Sequence, residues 1–361
     1  MPGRTTRHAG RVSDLPLRDF RPHDRLVRGR TVVARPPVPA IDVHNHLGTW
    51  LSPDGSWLVP SVRDLLGTLD DLGVERVVNL DGRWGEELEA NLRRYDRAHP
   101  GRFATFCHVD WGLLHTGDDG RALLASLDAS VAAGARGLKI WKDLGLGVRD
   151  EAGALVRPDD ERVVRVVQRA GEHGLPVLIH TADPVAFFDP LDGTNERLEE
   201  LAGQPDWWFG DRTRHPSFED LMGALERLVA ACPGTTVIGA HVGCHAEDLS
   251  AVGTMMDRYP TFHADLGGRL AEIGRQPRAF ARFVAAHPDR VLLGTDAYPP
   301  DPQAYRNLYR FLETDDEHWP YDGADDEAEP GSQGRWRVSG AALDPALLPA
   351  LYRDNALRLG L

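Results

Sequence analysis

Ile41-Asp42-Val43-His44-Asn45-His46 reads as a short apolar strand that ends in His-x-His. Alternate residues of a strand share a face, so His44 and His46 point the same way, about 6–7 Å apart along the backbone. That spacing suits two ligands of one metal ion. Three further apolar runs end in a ligand or acid–base residue: Val177-Leu178-Ile179-His180, Val237-Ile238-Gly239-Ala240-His241 and Val291-Leu292-Leu293-Gly294-Thr295-Asp296. Singly, each has an ordinary alternative. His44 and His46 can be hydrogen-bonded polar residues at a strand end, His180 a core histidine, and Asp296 the cap of a following helix.

The elements that would carry these residues repeat along the chain. From residue 40 onward, strand-like runs at about 40–46, 74–80, 102–109, 136–141, 175–181, 235–241, 261–267 and 290–296 alternate with helical runs. The helices fall at about 60–72, 85–98, 120–133, 159–173, 217–231, 246–257, 275–286 and 301–313, with a closing helix over 345–358. Strands alternating with helices imply an α/β fold with a parallel sheet, and eight units imply a closed (β/α)8 TIM barrel. An open doubly wound sheet is the alternative, weakened because no Gly-x-Gly-x-x-Gly follows the first strand. Active sites of such barrels lie at the C-terminal strand tips. There, His44, His46, His180 and Asp296 read jointly as three imidazoles and one carboxylate around a divalent ion. One Zn²⁺ suits that set best, with Mn²⁺, Fe²⁺ or Co²⁺ as alternatives. His241 is either a further ligand or, preferably, a catalytic group beside the ion that moves a proton or polarises substrate. His245 reads as a loop or helix-start residue.

Composition bounds the partners. The 361 residues carry a net charge of −14, which argues against general nucleic-acid binding. No apolar run is long enough for a membrane span. Residues 1–39, an Arg-rich arm ending in Pro36-Pro37 and Pro39, lack the apolar segment of a secretory signal. Cys107, Cys232 and Cys244 form no disulfide framework and fit a reducing cytoplasm. Residues 182–216, rich in Asp, Pro and Gly, read as a lid loop leaving strand 5, and 314–340 as an acidic insertion. The barrel proper is expected over 40–361.

Of 41 basic residues only Lys139 and Lys142 are lysine. Arginine does not replace a lysine that needs a compact ammonium or a shifted pKa. Lys139, at the tip of strand 4 on one face with Trp141, reads as a substrate-binding lysine or as a structural lysine paired with a barrel acid. Tryptophan follows each of strands 1 to 4, as Trp50, Trp84, Trp111 and Trp141, and Trp207-Trp208 lies in the strand-5 loop. Such a rim implies a flat apolar pocket. Arg83 and Arg269, after strands 2 and 7, are candidate carboxylate anchors.

Asp42-x-His44-x-His46, the histidines after strands 5 and 6, and Asp296 after strand 8 resemble the amidohydrolase superfamily. The likeness is nearest to its single-metal, aminocarboxymuconate-semialdehyde-decarboxylase-like branch. Gly137-Leu138-Lys139, Ala240-His241-Val242-Gly243, Leu293-Gly294-Thr295-Asp296 and Asn355-Ala356-Leu357-Arg358-Leu359 support it. The resemblance implies a distorted (β/α)8 barrel in which His44, His46, His180 and Asp296 hold the metal, Asp296 also shuttles a proton, and His241 assists. It also implies a homo-oligomer, most simply a homodimer, and a third reading of Lys139, which sits where two-metal relatives place a carboxylated lysine bridging two metals. The expected activity is a metal-dependent hydrolase that uses a metal-bound hydroxide on a C–O or C–N bond of a small cyclic or aromatic carboxylated substrate. Lys139, Trp141, Arg83, Arg269 and Trp84 would bind that substrate. Non-oxidative decarboxylation of an aromatic or unsaturated acid is the alternative; a barrel without chemistry and an unusual rearrangement are more distant ones.

Overall fold

The computed structural model describes residues 15–16, 20, 25–322 and 333–361. Its chain divides into Met1–Arg30 and Thr31–Leu361. The described residues of the first unit have no regular secondary structure, and residues 31–39 of the expected arm belong to the second unit.

Eight parallel strands of the second unit follow in chain order: β1 (Ala40–Asn45), β2 (Val74–Asn79), β3 (Phe103–Thr105), β4 (Leu138–Ile140), β5 (Val177–Ile179), β6 (Val237–Gly239), β7 (Phe262–Asp265) and β8 (Val291–Leu292). They pair in parallel as two sheets, β1-β2-β3 and β4 through β8. Backbone hydrogen bonds bridge both seams. Cys107 N–H donates to the Gly137 carbonyl (2.9 Å) and Lys139 N–H to that of Cys107 (2.7 Å). Val43 N–H donates to Leu293 (2.9 Å) and Asp296 N–H to His44 (2.8 Å). The eight strands therefore close into a (β/α)8 barrel, and the open-sheet alternative falls.

One helix follows each strand: α1 (Val62–Leu72), α2 (Gly85–Arg94), α3 (Arg121–Ala133), α4 (Glu161–Glu172), α5 (Phe218–Ala231), α6 (Leu249–Arg258), α7 (Pro277–Ala286) and α8 (Pro302–Glu313). Local chemistry fixes their ends. Ser61 Oγ accepts from Asp64 N–H to start α1, and Gly73, at φ 74°, ends it in the left-handed conformation that a side chain resists. Ser217 and Asp220 cap α5 reciprocally.

Alternation splits the strand residues between two cores. Val177, Ile179, Leu138, Ile140 and Val291 pack outward against the helices. Leu178, Ile238, Leu292, Ile41 and Val43 fill the interior, closed below by Ala356 and Leu361. Strict alternation from Ile41 and Val43 would turn His44 outward. Asp42 pairs with Val77 and Asn45 with Asn79, so three steps of β1 span two of β2. This bulge re-aims His44 into the barrel mouth. The expected shared face of His44 and His46 is thus reached through an irregularity that alternation alone does not supply.

Several boundaries differ from the sequence reading. The last strand is regular only at Val291–Leu292; beyond it Leu293 N–H turns to the Leu351 carbonyl and Asp296 sits at φ 54°. The closing helix consists of a π-helical turn, Ala350–Asp354, running into Asn355–Arg358. Residues 182–216 carry helical turns at Val185–Phe188, Leu198–Gly203 and Pro205–Trp207, packed around their own apolar cluster of Phe187, Phe188, Leu201 and Phe209. Buried Arg197 pairs there with Glu200 (2.7 Å) and with Glu272 of the β7 side. In the expected acidic insertion, β9 (Trp319–Pro320) pairs antiparallel with β10 (Arg337–Val338); its residues 323–332 lie outside the described residues. Among the described residues no helix is long and apolar enough to cross a membrane.

Candidate metal centre

His44, His46 and Asp296 converge at the strand tips, their ligand atoms all within 4.8 Å of one another. His44 Nε2 lies 3.5 Å and His46 Nε2 3.6 Å from Asp296 Oδ1. The opposite ring nitrogens are each held by a buried carboxylate. His44 Nδ1 is 3.0 Å from Asp265 Oδ2, and His46 Nδ1 is 2.6 Å from Asp81 Oδ1. Each carboxylate assigns its histidine the Nδ1–H tautomer, which leaves both Nε2 lone pairs facing Asp296. His44 Nε2 is buried and has no hydrogen-bond partner. A buried acceptor left bare is costly, and a divalent cation satisfies it. The donor set of two imidazoles and one carboxylate fits such an ion.

Asp81 and Asp265 anchor more than the rings. Asp81 Oδ2 accepts Gly48 N–H (3.0 Å), and Asp265 Oδ1 accepts Gly267 N–H (2.8 Å) and His241 N–H (3.2 Å). Burial raises both carboxyls, but the facing imidazoles and these bonds outweigh it and hold both below the ordinary Asp value. Backbone closes round the same ring: a Cβ on Gly267 would stand 2.9 Å from His44 Nδ1. Asp42, fully buried beside Thr295, accepts from Thr295 N–H (3.1 Å), Thr295 Oγ1 (2.5 Å) and Tyr305 OH (2.5 Å). It thereby ties the residue preceding Asp296 to β1.

His180 and His241 adjoin the trio. His241 is buried at φ 58°, ψ 49°, and its Nδ1–H donates to the Gly267 carbonyl at 2.7 Å. Its Nε2 then accepts from His180 Nδ1 at 3.3 Å. His180 Nε2 is left without a hydrogen-bond partner, 3.4 Å from Asp183 Oδ1. The expected ligand His180 thus presents a bare nitrogen, although it stands outside the compact trio. Burial holds His180 down to about 3 and His241 well below its ordinary value, so both imidazoles are neutral. Both nitrogens of His241 are thus within hydrogen-bond distance of protein groups, which places it to orient His180.

Lys139 is 1% exposed, and its Nζ has no hydrogen-bond partner. It lies 5.6 Å from the centroid of Trp141, and burial pushes its pKa down to about 8. Lys142 instead pairs with Asp183 at 2.6 Å. Trp141 sets its edge against His46 (5.8 Å) and His180 (5.5 Å). Arg83 and Trp84 stand together, the guanidinium 4.2 Å from that indole. Arg269 lines a different cavity, of about 260 Å³, with Asp296 and Asn307. Asp81, Asp265 and Asp183 escaped the sequence reading. Asp81 and Asp265 end apolar runs much as Asp296 does, which was the available signal.

A family model described as amidohydrolase matches residues 41–359. The chain belongs to the amidohydrolase family. Family membership agrees with the resemblance read from its motifs. Solved structures that the amidohydrolase chain is similar to include an uncharacterised TIM-barrel protein of Bordetella bronchiseptica, at 14% identity and TM-score 0.53, over 89% of this chain and 97% of that one. Two others are 2,6-dihydroxybenzoate decarboxylase from Rhizobium (16%, 0.53, 89% and 98%) and 5-carboxyvanillate decarboxylase from Sphingomonas paucimobilis (13%, 0.53, 89% and 98%). At such identities these likenesses establish the barrel fold. No curated protein matches the chain.

Proposed function

We propose that this amidohydrolase is a metal-dependent hydrolase that cleaves a C–O or C–N bond in a small cyclic or aromatic carboxylated substrate. The observation that carries the reading is the convergence of two carboxylate-backed Nε2 atoms on Asp296. His44, His46 and Asp296 would hold the ion, with the bare Nε2 of His180 beside them. A bound divalent cation supplies Lewis acidity and lowers the pKa of a water to about 7. Asp296, 20% exposed at its side chain and so the open member of the trio, takes the water proton and returns it to the leaving group. His241 keeps His180 in one tautomer. Lys139 brings an ammonium to the negative charge that forms on substrate.

Decarboxylation is the second reading, and the unpaired Lys139 favours it: a buried ammonium with no protein partner fits the carboxylate of the substrate itself. Two of the similar solved structures are decarboxylases, which agrees. Here Asp296 protonates carbon. The expected partner is a small molecule; a homo-oligomer, with no nucleic-acid or membrane partner, is also proposed. Sedimentation at micromolar concentration tests the assembly, and a solely monomeric species removes it.

The deciding experiment measures metal content on protein purified without chelator, then screens lactones, amides and aromatic acids, with released CO₂ followed separately. About one ion per chain and ring opening without CO₂ support the hydrolase. CO₂ release from aromatic acids selects the second reading. No metal after incubation with Zn²⁺ or Mn²⁺ defeats both.

A further inference from the structure

A cavity of about 310 Å³ lies beyond Trp141 on the β2–β4 side of the rim, lined by Arg83, Trp84, Trp111, Trp141, Asp143 and Arg149. None of the converging trio lines it. Its most unusual member is Arg83. The guanidinium carbon lies 4.6 Å from the centroid of Trp50 and 4.2 Å from that of Trp84. Stacking on two indoles holds the fork flat and leaves its in-plane edge for a ligand.

The backbone fixes that placement. Arg83 sits at φ 58°, a conformation that a β-carbon disfavours, and its carbonyl accepts His108 N–H at 2.8 Å. Arg83 Nε is buried without a hydrogen-bond partner, and its ion pair, with Glu87 Oε2, is stretched to 3.9 Å. Glu87, Asp81, Asp110 and Asp143 all lie near enough to act on Arg83, yet none hydrogen-bonds its guanidinium, so the stacked fork keeps its donors for a planar anion.

The other polar groups narrow the ligand. Burial pushes His108 down to about 3, and its Nε2 faces the Leu80 carbonyl at 2.7 Å, so it adds no charge. Asp110 Oδ1 accepts Gly112 N–H at 2.9 Å, closing its own turn. Asp143 and Arg149 are exposed at the cavity and offer an acceptor and a second cation. Three indoles around a volume at the small end of ligand pockets suit one ring.

We propose that this cavity is a recognition subsite for a planar carboxylate-bearing group, the end of the substrate remote from the metal centre, with Arg83 as its anion anchor. The inference rests on the proposed metal-dependent reading only for what lies at the other end of that substrate.

Benzoate and its neutral analogue benzamide are suitable probes, titrated into the metal-loaded protein by calorimetry. Benzoate should bind wild type and H44A with similar affinity, and benzamide about tenfold or more weakly, because a charge-assisted bidentate bond is lost. R83Q should weaken benzoate by a similar factor with its metal content unchanged. R83K, which keeps the cation but not the fork, gives the same test if R83Q fails to fold: a severalfold loss is expected. Unchanged affinity in R83Q or R83K, or no benzoate binding to wild type at millimolar concentration, overturns the subsite. Binding lost in H44A and kept in R83Q also overturns it, because the carboxylate then sits at the metal centre. An H44A protein that retains metal while its benzoate binding still depends on Arg83 supports the subsite and removes the metal assignment instead.

Discussion

The strand tips of β1, β2, β7 and β8 and the tip of β4 handle buried polarity in opposite ways. In the first region both ligand imidazoles have a carboxylate behind them, Asp265 behind His44 and Asp81 behind His46, and what remains is a pair of lone pairs. In the second, Lys139 is equally buried and has no hydrogen-bond partner. The first region has the donors to take a cation, and the second an ammonium to take an anion. Their juxtaposition suits the proposed reading, in which a negatively charged substrate meets a metal site.

The contrast can be broken most directly from the cation side. Replacing His44 by Ala should abolish metal binding and reduce turnover at least about a hundredfold while the barrel melts cooperatively, since one of the converging ligands is gone. An active, metal-replete H44A protein would refute the site. Removing a backing carboxylate should cost less. D265N should weaken metal affinity about 10- to 100-fold, measured by competition with a chelator; wild-type affinity would mean that Asp265 does not orient His44.

On the anion side the signs should differ. K139M should lose activity on carboxylated substrates yet gain about 1 kcal/mol or more in stability, because a buried unpaired charge is replaced by an apolar chain of similar length. A destabilised K139M would show that Lys139 has a hidden structural partner. A smaller effect follows from pH. With a folded pKa of about 8 against 10.5 for the free group, Lys139 binds fewer protons folded than unfolded between those values. Its penalty is therefore fully present below pH 8 and relieved as pH rises toward 10.5, so the stability difference between K139M and wild type should narrow across that window. A difference constant with pH would show that Lys139 stays protonated.

Much of this is legible in the sequence alone. Apolar runs ending in His or Asp, separated by capped helices, implied a barrel whose strand tips share one site, because period and punctuation are local properties. The β1 bulge was not legible: it is a register relation between Asp42–Asn45 and Val77–Asn79, and no residue type in β1 announces it. The backing carboxylates were half legible. Asp265 ends an apolar run, but that it meets a ring 221 positions away is a fact of closure. Arg83 is read as an anchor from its position, with Trp84 beside it in sequence; its contact with Trp50, on the loop after β1, is the part that the sequence does not connect. Residues 182–216 are read as a lid from their length and their Asp, Pro and Gly; how they pack is the part the composition does not show. Phe187, Phe188, Leu201 and Phe209 give the segment a core of its own.

The seam between β8 and β1 has a consequence for how the molecule comes apart. Asn45 Nδ2 reaches Thr295 Oγ1, 250 positions further along the chain, so the first and last staves of the barrel meet where the ion would sit. A cation gripping His44, His46 and Asp296 would act as a hoop on that joint. Opening the ring would then require releasing the ion, and each tenfold rise in free metal above its dissociation constant would add about 1.4 kcal/mol to the closed form. For such a molecule, supply of the ion would govern survival of the fold as well as catalysis.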